Sequence, residues 1–234
     1  MPLVAAIGDI HGELRKLNEL LSHLETRLSP EDTIVFIGDY IDRGPDSRGV
    51  VEKVFEVRSR FNVVALKGNH EQLALDAYHY FRLDPSEKQI DEDALTWFYN
   101  GAYQTLDSYP SVKGESWWKR IPPEHWEFFA NAPIEYERGN YVFVHAGLLP
   151  KGVSWNDDRF EPRLWIREPF IESTKDFGKT VVFGHTPLKN GHPLMLPNKI
   201  GIDTGAVFGG PLTAIVLDPE EPYENGNIEV FQAV

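Results

Sequence analysis

Leu3-Val-Ala-Ala-Ile7 runs directly into Gly8-Asp9-Ile10-His11-Gly12. The apolar run is long enough for a buried strand and too short for a buried helix. A polar, glycine-bearing cluster ends it, and Gly12 permits a sharp turn into the next segment. Beyond the turn, Leu14, Leu17, Leu21, Leu24 and Leu28 recur at helical spacing. The same unit then repeats. Thr33-Ile-Val-Phe-Ile37 meets Gly38-Asp39-Tyr40-Ile41-Asp42-Arg43-Gly44, with Val50, Val54 and Val57 at helical spacing behind it. Val63-Val-Ala-Leu66 meets Gly68-Asn69-His70-Glu71, and a further helix is expected from about Glu71 to Phe81. The first third therefore reads βαβαβ, which predicts an α/β fold with parallel pairing.

Further along, Tyr141-Val-Phe-Val144, Thr180-Val-Val-Phe183, Lys199-Ile-Gly-Ile202 and Leu212-Thr-Ala-Ile-Val-Leu217 read as buried strands. Ile228 to Val234 is expected to close a sheet edge, after a polar surface hairpin loop from Asp218 to Asn227. Residues 84 to 133 break the alternation. They carry Trp97, Phe98, Tyr99, Trp117, Trp118, Trp126, Phe128 and Phe129, with Pro122-Pro123 between them. This stretch is expected to be a mainly helical, aromatic-rich insertion within one domain spanning residues 1–234. Its aromatic residues are expected to form the insertion's own core rather than a substrate groove.

Composition narrows the function. The 234 residues carry Lys+Arg 23 against Asp+Glu 36, a formal charge of −13. That balance argues against nucleic acid and anionic membranes as partners, since both require basic surface. A small anionic substrate stays open, because bound divalent cations reverse the local sign. There is no cysteine, which excludes a thiolate zinc site and a cysteine nucleophile. No basic leader precedes Leu3 and no run of 18 apolar residues occurs. The expected location is the cytoplasm.

The polar clusters carry the chemistry. Ligands of open α/β sheets lie outside the carboxyl ends of strands, and five clusters fall at such ends. In the first, Asp9 and His11 lie two apart on one side of an extended segment, where they can chelate one cation. In the second, Asp39 has two carboxylate oxygens and can bridge two cations, and Asp42 and Arg43 stand just after it in a tight loop. The third offers the neutral oxygen of Asn69 beside the titrating His70. His145-Ala-Gly147 and Gly184-His185-Thr186 each place an imidazole after a strand. Any one of these has an ordinary explanation as a helix cap, a turn former or a polar strand end. Jointly they supply oxygen and nitrogen ligands, without sulfur, sufficient for two cations sharing Asp39. His23, His79, His125 and His192 fall outside the pattern.

The ordered string GDIHG, GDYIDRG, GNHE, HAG, GHT resembles the signature of the PPP-type metallophosphoesterases, which include the serine/threonine protein phosphatases and their bacterial and phage relatives. The resemblance runs from Asp9 to at least Gly205. Leu164-Trp-Ile-Arg167 and Ile202-Asp-Thr-Gly205-Ala206 look most like the compact bacterial and phage branch. It implies a central β-sandwich flanked by helices, with metals at the carboxyl ends of strands. It implies that Asp9 and His11 hold one metal, that Asp39 bridges, and that Asn69, His145 and His185 hold the second. His70 matches the general acid, Asp42 its carboxylate partner, and Arg43 and Arg167 the phosphate-binding arginines. The implied cofactors are two divalent ions, manganese first, with iron or zinc also compatible. The implied reaction is hydrolysis of phosphoprotein or small phosphoester substrates by a metal-activated bridging water attacking phosphorus directly.

Two rival readings remain. A dinucleoside polyphosphate hydrolase of the same superfamily shares the metal motifs, but the symmetrically cleaving bacterial type usually alters the triplet that here stands intact as Asp42-Arg43-Gly44. An inactive metal-binding scaffold would be expected to have lost ligands or the acid, and none is missing here. Oligomeric state has no signature in the chain.

Overall fold

Alternation along each strand decides what the sheets pack against. The computed structural model describes residues 2–83, 92–111, 113–155, 161–223 and 228–234. In β1 (Val4–Ile7), Val4 and Ala6 face one way, and Ala5 and Ile7 the other. The first pair joins an inner core with Val35, Phe143, Val182, Ile200 and Ile215, while the second packs with Leu17, Leu21 and Val50 of the flanking helices. Both faces are thus buried, so strands of this kind are apolar throughout rather than alternating.

The first sheet has strand order β10-β9-β1-β2-β3. Here β2 is Thr33–Phe36, β3 Asn62–Ala65, β9 Leu212–Leu217 and β10 Ile228–Ala233. Helices α1 (Leu14–Glu25) and α2 (Ser47–Val57) make the crossovers, and α3 (Asn69–Arg82) comes after β3. The second sheet has order β4-β5-β6-β8-β7, with β4 Glu135–Arg138, β5 Tyr141–Val144, β6 Thr180–Phe183, β7 Leu194–Leu196 and β8 Lys199–Gly201. The protein is a mixed α/β sandwich of two sheets flanked by helices. Register brings the motif-bearing ends level. Ile7 lies opposite Phe36, and Phe36 opposite Ala65, in parallel pairs. Strands β5, β6 and β8 are also parallel, so their carboxyl ends likewise share one edge.

The expected strands all form, and β10 is the edge strand of its sheet. Two more form that periodicity does not reveal. Strand β4 reads Glu-Tyr-Glu-Arg and is mostly exposed; at a sheet edge it needs only one ladder partner and no apolar face. The three-residue β7 forms the opposite edge. Helix α3 begins at Asn69, two residues before the expected start, because the Glu71 carboxylate accepts from Gly68 N and caps it.

Between α3 and β4 lie α4 (Glu92–Tyr99), α5 (Ala102–Ser108), a 3₁₀ turn at Trp117–Arg120 and α6 (Pro123–Asn131). Their rings stack on α3. Tyr78 and Trp126 are nearly parallel at 4.2 Å, and Phe81 meets Trp117 edge-on at 5.7 Å. Trp97 and Phe129 are wholly buried. Residues 84–91 and 112 of this stretch, and 224–227 of the loop before β10, lie outside the described residues. Among the described residues, no helix is long and apolar enough to cross a membrane.

The inner core joins residues of both sheets in one buried cluster. Phe143, fully buried between the sheets, should on replacement by alanine lose about 3–5 kcal/mol. Glu137→Ala on the exposed β4 should change stability by about 0.5 kcal/mol or less. Urea denaturation of the two variants checks the contrast.

Candidate functional site

Five non-glycine residues have positive φ among the described residues: His11 (46°), Asp39 (51°), Asp42 (75°), Arg43 (67°) and His185 (63°). All five stand in the motifs at strand ends. Each left-handed residue costs on the order of 1 kcal/mol, so surrounding contacts must hold it there. The loops hold one another. Ile10 N and His11 N both donate to Asp39 O, Gly12 N donates to Tyr40 O, and Gly184 N donates to His145 O.

The side chains converge on Asp39. Its Oδ2 lies 3.4 Å from His11 Nε2 and 4.0 Å from His70 Nε2, and its Oδ1 lies 3.5 Å from His145 Nε2. The two oxygens of one carboxylate therefore face two different groups of imidazoles. His11, Asp39 and His70 form one cluster with metal-ligand spacing, and Asp39, His145 and His185 form the other. Asn69 Oδ1 adds to the second, 2.9 Å from His145 Nε2 and 3.0 Å from His185 Nδ1. Asp9 enters from the side of His185, whose backbone N–H donates to both Asp9 oxygens at 3.2 and 3.0 Å.

The donor set fits cations. His145 Nδ1 lies 3.0 Å from Ile37 O, which places the proton on Nδ1 and leaves Nε2 a bare lone pair. That lone pair faces the amide oxygen of Asn69 and the carboxylate of Asp39, all acceptors. His11 Nδ1 likewise donates to Ile41 O at 2.8 Å, leaving its Nε2 lone pair inward. Two glycines make room for the carboxylates. A Cβ on Gly68 would collide with Asp39 Oδ1, and one on Gly184 with Asp9 Oδ1.

Electrostatics point the same way. Burial pushes the His11 imidazolium down to about 3, helped by His70 and Arg43 and opposed by Asp39. Burial also lowers His145 and His185. Neutral imidazoles are the form that ligates metal. Burial raises Asp9 well above the carboxylate range, and the neighbouring Asp203 and Asp39 raise it further. A cation bound beside these carboxylates would favour their charged forms and offset the cost of burial.

His70 differs from the other three. Its Nδ1 lies 2.6 Å from Asp42 Oδ2. Burial works against its charge, but Asp39 and Asp42 outweigh burial and raise its pKa. Arg43 Nη1 lies 2.8 Å from His11 Nε2. Arg167, preceding the short α7 (Glu168–Ile171), donates to Thr186 Oγ1 at 3.3 Å on another rim. The structure thus gathers all ten residues singled out in the sequence at one edge of the sandwich, where the strands end.

Other residues there had weaker signals. Glu71 is fully buried and accepts from Gly68 N (2.9 Å), Asp39 N (3.0 Å) and Tyr40 N (2.9 Å). Its bond from Gly68 N is one half of a capping box, since Gly68 has no side chain to return the other. Trp97 Nε1 donates to Asp42 Oδ2 at 2.9 Å, and Thr105 Oγ1 to Asp42 Oδ1 at 2.6 Å. These contacts span 55 and 63 residues, and no local pattern announces them. Asp203, buried beside Arg43 and Arg167, is raised to about 6 by burial first.

Comparison with known proteins finds the profile of the calcineurin-like phosphoesterases matching residues 2–210. The chain is 32% identical over 219 residues to serine/threonine-protein phosphatase 1 of Salmonella typhimurium, covering 90% of this chain and 89% of that one. It is 29% identical over 237 residues to an asymmetrical bis(5′-nucleosyl)-tetraphosphatase of Oceanobacillus iheyensis, covering 92% and 88%. A protein serine/threonine phosphatase from Saccharomyces cerevisiae superposes with a TM-score of 0.59 at 17% identity, over 100% of this chain and 80% of that one. At that identity the likeness shows the fold.

Glu71 ties the loop bearing Asp39 to the start of α3, so its charge should be felt by bound metal. Glu71→Gln keeps the shape but turns an amide N–H₂ toward a backbone donor. It should weaken divalent-metal binding by about 10–100-fold, the usual cost of an outer-shell change. Calorimetric metal titration measures this, and unchanged circular dichroism would show that the fold persists.

Proposed function

This chain belongs to the calcineurin-like phosphoesterase family, and we propose that within it the protein is a metal-dependent phosphoprotein phosphatase acting on phosphoserine and phosphothreonine. The observation that carries this reading is the His70–Asp42 pair at 2.6 Å. It stands beside the metal-ligand clusters with its Nε2 4.0 Å from Asp39 Oδ2. An alkoxide leaving from a phosphoserine is strongly basic and needs a proton donor.

In this reading Asp9, His11 and Asp39 hold one divalent ion, and Asp39, Asn69, His145 and His185 hold another, with manganese first and iron or zinc also suited. When bound, such ions supply Lewis acidity and make water acidic enough to attack phosphorus near neutral pH. The rest falls to the chain. Arg43 and Arg167 hold the phosphoryl oxygens by charge-assisted bonds. His70 Nε2 gives its proton to the leaving oxygen. Asp42 receives the Nδ1–H and keeps the ring turned inward, while Trp97 and Thr105 hold the Asp42 oxygens.

A second reading, hydrolysis of dinucleoside polyphosphates, is favoured by the relatives of that name, one of which matches 92% of this chain. Matched kcat/KM values on a phosphoserine peptide, diadenosine tetraphosphate and a small phosphomonoester, with manganese, decide between them. The first reading expects the peptide to be best; a large advantage for the dinucleotide would replace it with the second.

Chelation should abolish turnover and manganese should restore it; full activity in metal-analysed, metal-free protein would overturn the mechanism. His70→Asn should slow hydrolysis of a phosphoserine peptide by about 10²–10⁴-fold. The loss on p-nitrophenyl phosphate should be smaller, because nitrophenolate scarcely needs a proton. Rates are compared at equal metal content, and equal losses on both substrates would argue that His70 is not the proton donor.

A further inference from the structure

Beside the site runs a cleft of about 770 Å³ that the mechanism uses only at its Arg167 end. It begins at Arg167 and Thr186, continues along Leu188 and Lys189, and is closed by the turn bearing Phe208. A serine side chain leaving the metal site would fill little of it. The volume falls within the range of small-molecule pockets.

Phe208 is 65% exposed, an unusual state for a large ring, and its setting is rigid. It ends a 3₁₀ turn, Ala206–Phe208, between Gly205 (φ 73°) and Gly209 (φ 89°). Phe208 N and Gly210 N both donate to Gly205 O, at 2.9 and 3.0 Å. From beneath, the buried Lys16 donates to Ala206 O at 3.1 Å and to Gly210 O at 2.5 Å. A buried lysine therefore holds the turn, and the turn presents an open aromatic face. The Arg43 guanidinium stands over the ring on the side of the reaction centre, 5.6 Å from its centroid, and the rest of the ring is left open to the cleft.

Charge selects what would rest there. In a chain of net charge −13, the cleft is lined by Arg167 and Lys189 and, among the described residues, by no carboxylate. An open ring, two cations and an apolar strip suit a planar aromatic group carrying phosphate. We infer that this cleft is a nucleoside-phosphate subsite, in which Phe208 stacks the base while Lys189 meets a phosphate beyond the one that Arg43 and Arg167 hold at the metal centre. Stacking of a base on an aromatic side chain is a strong and sequence-tolerant contact. This inference deepens the second reading above and rests on it for the reaction, though not for the binding.

The test separates the two. Adenosine 5′-(α,β-methylene)diphosphate and methylenediphosphonate carry the same bridged anion, with and without the nucleoside. Their affinities for the manganese-loaded enzyme are measured by calorimetry, and diadenosine tetraphosphate turnover is measured in parallel. The nucleoside should improve affinity about 10-fold or more. Phe208→Ala should bring the two ligands within about twofold, Phe208→Leu should do the same, and Phe208→Trp should keep the difference. Binding of methylenediphosphonate reports that each variant is folded and metal-loaded. Equal affinity of the wild-type enzyme for both ligands would overturn the subsite, as would a nucleoside preference that survives in Phe208→Ala. A Phe208-dependent preference without diadenosine tetraphosphate turnover would support the subsite and remove the second reading of the reaction.

Discussion

The Glu71 carboxylate accepts backbone N–H groups from two segments at once: Gly68 at the start of α3, and Asp39 and Tyr40 in the loop after β2. Each of those N–H groups would otherwise be a buried donor without a partner, at a cost of about 1–3 kcal/mol. The carboxylate is itself pushed up to about 8 by burial and by the nearby Asp39. The tie therefore works against its own charge and is worth most when cations offset Asp39. Through it, Asn69 and His70 on one segment are placed against Asp39 and Asp42 on the other.

From that tie the strain in the remaining loops becomes intelligible. His11, Asp39, Asp42, Arg43 and His185 all adopt left-handed backbone, and each turn aims a side chain back over its strand end. Left to local preference, such residues would relax. They do not, because Asp39 O accepts from Ile10 N and His11 N, and the Asp9 carboxylate accepts from His185 N. The loops are thus mutually over-determined, which is the condition under which strain persists at a site. The glycines at 68 and 184 belong to the same arrangement, since any side chain there would displace a carboxylate.

The aromatic helices reach the candidate site as well as forming a core. Their rings form a core against α3, as composition leads one to expect. One of them, Trp97, also turns its indole N–H onto Asp42, and Thr105 meets the other oxygen of that carboxylate. Asp42 is raised by burial, and its bonds to His70, Thr105 and Trp97 offset part of that cost. A segment outside the βαβ framework thus steadies the group that orients His70, and the stability of the aromatic cluster bears directly on the site.

The βαβαβ opening, the apolar strands and the motifs at their ends are legible from the chain alone, because each is written in neighbouring residues. Strand length and helical spacing are local, and Asp9, His11, Asp39, Asn69, His145 and His185 each stand just beyond an apolar run. The capping pattern of Gly68 and Glu71 is also local, but the reach of Glu71 to the loop after β2 is not. The edge strands β4 and β7 are not legible: β4 needs one ladder partner and no apolar face, and β7 is only three residues long. Trp97 on Asp42, Lys16 beneath the Phe208 turn, and Phe208 beside Arg43 bring together residues from about 50 to 190 positions apart. Sequence periodicity extends over a few turns or one strand, and contacts of that separation exist only once the two sheets and their helices have packed. The sequence determined which chemistry the strand ends carry; tertiary packing alone decided which groups steady that chemistry and what stands next to it.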